Sequence, residues 1–244
     1  MENEFVRIFK YAHDFYLKRL RLIIIFSIPF ILAFLVLMFV PAPTYLSLGG
    51  VFLRTGSIPE LSLIDLVVTA VGYVIAVFVI ADTIVNINII VRCKRTMTSI
   101  KQEVITAMGK YATRIFYIYT LMLLLLFIVQ LLTYDNPLQS WLYPLFAFIL
   151  SFLLFFVPPA VVIDNSNTAE AIRRSVDMAL RNPDLVLIWT LLSLAILTFL
   201  KFFADLIFGP YAGYFVLLVN SLIVLPFLTV LQTQMYMEKY PLAR

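Results

Sequence analysis

The sequence predicts an all-α integral membrane protein with six transmembrane helices and cytoplasmic amphipathic helices, and three observations predict it. Hydrophobic residues make up 63% of the 244 residues and charged residues 13%, far from the balance of soluble domains. Six segments reach the roughly 20 mostly apolar residues that a crossing helix needs. Sixteen of the 18 Lys and Arg fall before residue 22, between 92 and 114, between 173 and 181, or after 237, alternating with the apolar runs. Lys and Arg beside spans are retained in the cytoplasm, so both termini are expected there, in the plasma membrane. Arg54 and Lys201 are the two exceptions.

The first span is expected at residues 22–40. It follows about twenty charged, helical-looking residues and precedes no small-residue cleavage site, so it reads as a retained helix and not as a signal peptide. The others are expected at 63–91, 115–133, 141–163, 185–207 and 214–237, with Tyr134, Trp141, Tyr143, Tyr211 and Tyr214 near their ends at headgroup level. The connections 134–140 and 208–213 are short enough to make antiparallel hairpins. The longer one, 41–61, reads either as a surface loop or as a segment dipping back toward the spans.

The cytoplasmic segments carry helical periodicity. In 168–181 the apolar residues Ala169, Ile172, Val176, Ala179 and Leu180 oppose Glu170, Arg173, Arg174, Asp177 and Arg181. Glu170–Arg174, Arg173–Asp177 and Asp177–Arg181 are four apart, Asn167 with Glu170 reads as a cap, and Asn182-Pro183 ends the helix. Met97, Ile100, Val104 and Met108 form a second stripe, with Ser99 and Gln102 as a capping box. Phe5, Ile8, Phe9, Ala12, Phe15 and Tyr16 form a third. One domain, 1–244, is therefore expected to repeat "amphipathic helix, then hairpin" three times, in units of about 1–91, 92–165 and 166–244. Such helices either lie in the interface or pack beneath the hairpins as a collar.

Val157-Pro-Pro-Ala-Val-Val-Ile-Asp164, followed by Thr168-Ala-Glu-Ala-Ile-Arg-Arg-Ser175, resembles the membrane domain of some bacterial glycerophosphoryl diester phosphodiesterases and related six-span proteins of unknown function. Pro159, Asp164, Ala171, Ile172, Arg174 and Ser175 match that pattern. The resemblance covers about 30 residues closely and implies a membrane domain. It does not imply the phosphodiesterase activity, because no segment outside the spans could hold that soluble domain. Physically, Pro158-Pro159 should bend or end the fourth span, and Asp164 should sit at the elbow, where Arg173 or Arg174 could pair with it or with a lipid phosphate.

Ionisable groups inside spans are functional candidates because an unpaired charge there is costly. Asp82 and Asn86 share a face of the second span, and Lys201 and Asp205 are four apart in the fifth. They either line a polar cavity or hold the bundle together through interhelical hydrogen bonds, and Lys201, toward the outer end of its span, could equally snorkel to the headgroups. One Cys, Cys93, and one His, His13, exclude an intrachain disulfide and a Cys/His metal centre, and no catalytic, cofactor or metal motif is found. The basic residues are too dispersed for nucleic acid and suit anionic headgroups. The leading expectation is a non-enzymatic scaffold, partner subunit or lipid-interacting module, alone or as a homo-oligomer, with a small transporter or channel using Asp82, Asn86, Lys201 and Asp205 as the alternative. A lipid-modifying enzyme using Asp164, Arg173, Arg174 and Ser175 is the weakest expectation.

Overall fold

The computed structural model describes residues 4–39, 44–48, 51–55, 63–96, 108–133 and 138–239. Its elements are α1 (Glu4–Lys18), α2 (Leu20–Phe39), a hairpin of β1 (Thr44–Leu48) and β2 (Val51–Thr55), α3 (Leu63–Thr96), a π-turn (Met108–Ala112), α4 (Thr113–Leu132), α5 (Gln139–Leu153), α6 (Val157–Ile163), α7 (Thr168–Arg181), α8 (Pro183–Phe208), a 3₁₀ turn (Gly209–Tyr211), α9 (Ala212–Val219), a second π-turn (Asn220–Val224) and α10 (Leu225–Lys239). Four helical segments are long and apolar enough to cross a membrane, or five if the bent pair α1–α2 counts as one. They are consistent with a multi-pass membrane protein.

The last of these segments, Pro183–Lys239, is a single run of 57 residues by length and composition. It is folded in two. Gly209 has φ +51°, a conformation that side chains rarely adopt, and Pro210 follows it. The Trp189 indole N–H donates to the Leu228 carbonyl at 3.0 Å, although the two are 39 residues apart. In one straight helix they would be about 58 Å apart. Hence α8 and the α9–α10 run lie antiparallel, with Phe208 stacked on Phe215 beside the turn.

Exposure divides the chain into two ends. The C-terminal parts of α4 and α8 and the first half of α3 present apolar side chains outward: Leu132 is 79% exposed and Leu206 73%, and Ile64, Val71 and Phe78 face out as well. A water-facing surface of that kind would be strongly unfavourable, whereas hydrocarbon accepts it. Toward the opposite end the helices are enclosed. From Ile80 to Val91 nearly every residue of α3 is buried, as are all seven of α6 and α10 from Leu225 to Met237 apart from Phe227.

At this enclosed end α1 turns 88° from α2 and packs along α10. Ile8, Ala12, Phe15 and Tyr16 are buried, whereas Arg7, Lys10, Tyr11 and Asp14 face out. Phe227 meets Phe9 and Tyr16 edge-on at 5.7 and 5.5 Å, and Glu4–Lys239 and Arg7–Glu238 ion pairs close the far end. The Tyr16 hydroxyl donates to the Ile223 carbonyl at 3.1 Å, within the π-turn. Burial pushes the Tyr16 phenol from 10.0 up to about 12. A raised folded-state value means that this stability is complete below pH 10 and is lost as pH rises through about 12. Relative to Tyr16→Phe, the native chain should therefore lose roughly 2 kcal/mol between those limits. Parallel unfolding curves against pH for the two proteins would disprove this.

Several expectations change at this level. The segment 41–61 contains an antiparallel hairpin, Thr44 opposite Thr55 and Leu48 opposite Val51, with β1 beside α5. The stripe 97–108 and its capping box lie outside the described residues, except for the Met108 backbone. In α7 the buried residues are Ala171, Ser175, Met178 and Ala179, while Ala169 and Leu180 are exposed. The helix is rotated from the face that hydropathy suggests because the Ser175 hydroxyl is needed inside.

Candidate functional site

The apolar segment Ser140–Ile163 is interrupted just before Pro158-Pro159. Helix α5 ends at Leu153, three residues form a turn, and α6 restarts with Val157 and Pro158 at its first positions, where a missing N–H leaves no bond unmade. Backbone groups freed inside such a break need partners. Two come from Ser175, whose hydroxyl donates to the Leu153 carbonyl at 2.8 Å and accepts from the Phe156 N–H at 2.9 Å. A third comes from α10, where the Gln232 amide donates to the Phe155 carbonyl at 2.5 Å. Phe155 also packs edge-on to Trp189, with ring centroids 4.9 Å apart.

The elbow after α6 is held from four sides. Asp164, with a side chain only 9% exposed, accepts on one oxygen from Arg174 of α7 and from the Tyr236 hydroxyl of α10, both at 2.5 Å. Arg174 also donates to Glu170 at 2.5 Å, and the Asn167 side chain caps α7 by accepting from the Glu170 N–H at 2.8 Å. Arg92 of α3 donates to the Val162 carbonyl at 2.9 Å and to the Tyr111 hydroxyl at 3.0 Å. Arg114 of α4 donates to the Ser166 carbonyl at 2.7 Å. Asn165, at φ 53°, takes the left-handed conformation that Asn tolerates better than most residues, which lets the chain reverse here. Burial alone would lower the Arg174 guanidinium, but its bond to Asp164 and the charges of Asp164 and Glu170 outweigh it and hold the group above its usual value.

The chemistry of this cluster is that of a clasp. Charge-assisted bonds of this length are strong, and Arg174 pairs with both acids at once. Arg173, the other candidate for Asp164, is exposed and has no acidic partner among the described residues, and Asp177 pairs with Arg181 at 2.8 Å and not with Arg173. Tyr236, Arg92 and Arg114 were not legible as site residues: a tyrosine near the end of a span reads as a headgroup anchor, and the two arginines as retention charges.

The intramembrane candidates do not converge. Asn86 donates to Asp82 at 3.0 Å within α3, and Lys201 pairs with Asp205 within α8, both side chains being more than half exposed. Asp82 Oδ1 and Asn86 Oδ1 are buried without a hydrogen-bond partner among the described residues. The interhelical polar tie comes from other residues: Thr233 Oγ1 of α10 lies 2.6 Å from Asn88 Oδ1 of α3. Among the described residues, no group of three or more His, Cys, Asp or Glu side chains could hold a metal ion. Cys93 is buried, in a position unsuited to acylation.

No family model, curated protein or solved structure matches this chain.

Proposed function

We propose that the chain is a six-span plasma-membrane protein with both termini in the cytoplasm, acting without catalysis as a scaffold or partner subunit whose inner face engages anionic lipid headgroups. The observation that carries this reading is the division of charge at the enclosed end. Among the described acids there, Glu4, Asp14, Asp164, Glu170, Asp177 and Glu238 all have cationic partners. Asp184 lies in the first turn of α8, where the helix dipole favours it. Arg19, Arg21 and Arg173 are exposed and have no acidic partner among the described residues. What remains on that surface is positive, as an anionic leaflet requires.

Six crossings follow from taking α2 as one span, α3 and α4 as two, α5 with α6 as the fourth, and α8 and α9–α10 as the last two. Helices α1 and α7 are then amphipathic elements of a cytoplasmic collar, each opening one unit of a three-fold repeat. Kinship with the membrane domain of glycerophosphoryl diester phosphodiesterases is part of the proposal and rests on Pro159, Asp164, Arg174 and Ser175.

The test is extraction of the full chain from its native membrane in mild detergent, followed by identification of the lipids and proteins that accompany it. Enrichment of anionic phospholipid is expected, and Arg19→Gln/Arg21→Gln/Arg173→Gln should reduce it severalfold. A chain that emerges free of lipid would sink the reading, and one accompanied by a protein but no anionic lipid would replace it with a partner role. The orphaned Asp82 and Asn86 oxygens favour a second reading, a small transporter whose substrate supplies the missing donor or charge. Flux into proteoliposomes that Asp82→Asn abolishes would establish it, and equal flux in both proteins would remove it.

A further inference from the structure

Helix α8 buries a stripe along its first half and, beyond Ser193, is exposed or half-buried on every side apart from Ala204. Leu185, Trp189, Ser193 and Ala204 face the rest of the chain. Leu187, Leu191, Leu194, Thr198, Lys201 and Asp205 are exposed, at spacings that alternate four, three, four, three and four. That is a heptad pattern, the sequence form of a helix that packs against another at a shallow left-handed angle. Scattered apolar exposure on a lipid-facing helix needs no explanation, but an exposed ion pair does.

The Lys201–Asp205 pair lies on this stripe, with exposed Phe199, Phe202, Phe203, Leu206 and Ile207 around it. Ionisable residues within spans almost always face protein or water, because hydrocarbon solvates them poorly. No other charged residue is described between Asp184 and Glu238 to cover the pair. A second helix would.

We propose that this stripe is a self-association surface on which a second copy of the chain pairs, α8 against α8, about a two-fold axis along the membrane normal. The argument for a second copy is charge self-complementarity. Both copies insert the same way, because their Lys and Arg placement is the same, so the two helices run parallel. Lys201 of each copy then lies about 6 Å along the axis from Asp205 of the other, the same rise that each lysine already spans within its own helix. Four charges close into one cluster of zero net charge, and the contact is isologous, as a two-fold pair requires. The leucines pack on the enclosed side of that cluster, with Thr198 allowing the backbones to approach.

The proposal rests on the six-span reading for placing α8 in the membrane, and the experiment separates the two. The full chain in a Cys93→Ala background, in nanodiscs of native lipid, carries single cysteines along α8. Leu191→Cys, Leu194→Cys and Thr198→Cys should cross-link into dimers on mild oxidation, whereas Phe203→Cys, on another face, should not. Lys201→Asp alone should reduce capture of a differently tagged copy at least tenfold, as should Asp205→Lys alone. Co-expression of those two variants should restore capture to within twofold of the native pair. Capture unaffected by Lys201→Asp, or cross-linking without the alternating periodicity, overturns the proposal, as does recovery of a different protein in place of the second copy. If Lys201→Asp does not insert, the cysteine series decides alone. A Thr198→Cys thiol that reacts with an impermeant maleimide as fast as a thiol in water would show that α8 is not in hydrocarbon, and so defeats the six-span reading. A protected thiol without cross-linking defeats only the pairing.

Discussion

Asp164→Ala is expected to destabilise the protein by about 2–3 kcal/mol. The change removes the short bond from Tyr236 and one of the two carboxylates that hold Arg174. Breaking a fully buried pair costs about 3–5 kcal/mol, and the value here is lower because Arg174 is 31% exposed and keeps Glu170. Asp164→Asn retains an acceptor for Tyr236 and should fall between the two. Unfolding midpoints in detergent or nanodiscs measure this, and an Asp164→Ala protein within about 0.5 kcal/mol of the native chain would show that the cluster is not a clasp.

Ser175→Ala is expected to cost about 2–4 kcal/mol, although it removes a single oxygen. The Phe156 N–H and the Leu153 carbonyl lose their partner together, in a place where the side chain is fully enclosed. Each orphaned buried group costs about 1–3 kcal/mol, and no water reaches them to compensate. A Tm lowered by roughly 6–12 °C is the expected reading. Ser175→Thr keeps the hydroxyl and tests the alternative that any change at this packed position is harmful. If the alanine variant is as stable as the native protein, then the break between α5 and α6 does not depend on α7.

These two residues show how far composition and periodicity reach. Asp164, Arg174 and Ser175 were visible in the chain as a pattern of residue types around a double proline, and the Glu170–Arg174 pair and Asn167 cap were readable from spacing alone, since both are local to one helix. What spacing could not supply was the direction of Ser175. Hydropathy places a serine on the solvent side of a helix, and it is inside because a backbone break nineteen residues earlier needs a hydroxyl. In the same way Arg173 and Arg174 are equivalent in sequence, and the rotation of α7 selects Arg174.

The sequence by itself determined that most of this chain is apolar helix, where the helices start and stop, and that its basic residues gather at one end of them. Those properties follow from burial of apolar surface and from local capping, which act over one or two turns. Only the tertiary structure decided which polar groups meet. Tyr236 reaches Asp164 across 72 positions, Gln232 reaches Phe155 across 77, and Thr233 reaches Asn88 across 145. The reason is physical: an enclosed backbone carbonyl or carboxylate takes the nearest donor in space, and distance along the chain does not enter into that choice. The exposed charges of α8 are the reverse case, legible as a pair in the chain, with only the fold showing that they face away from it.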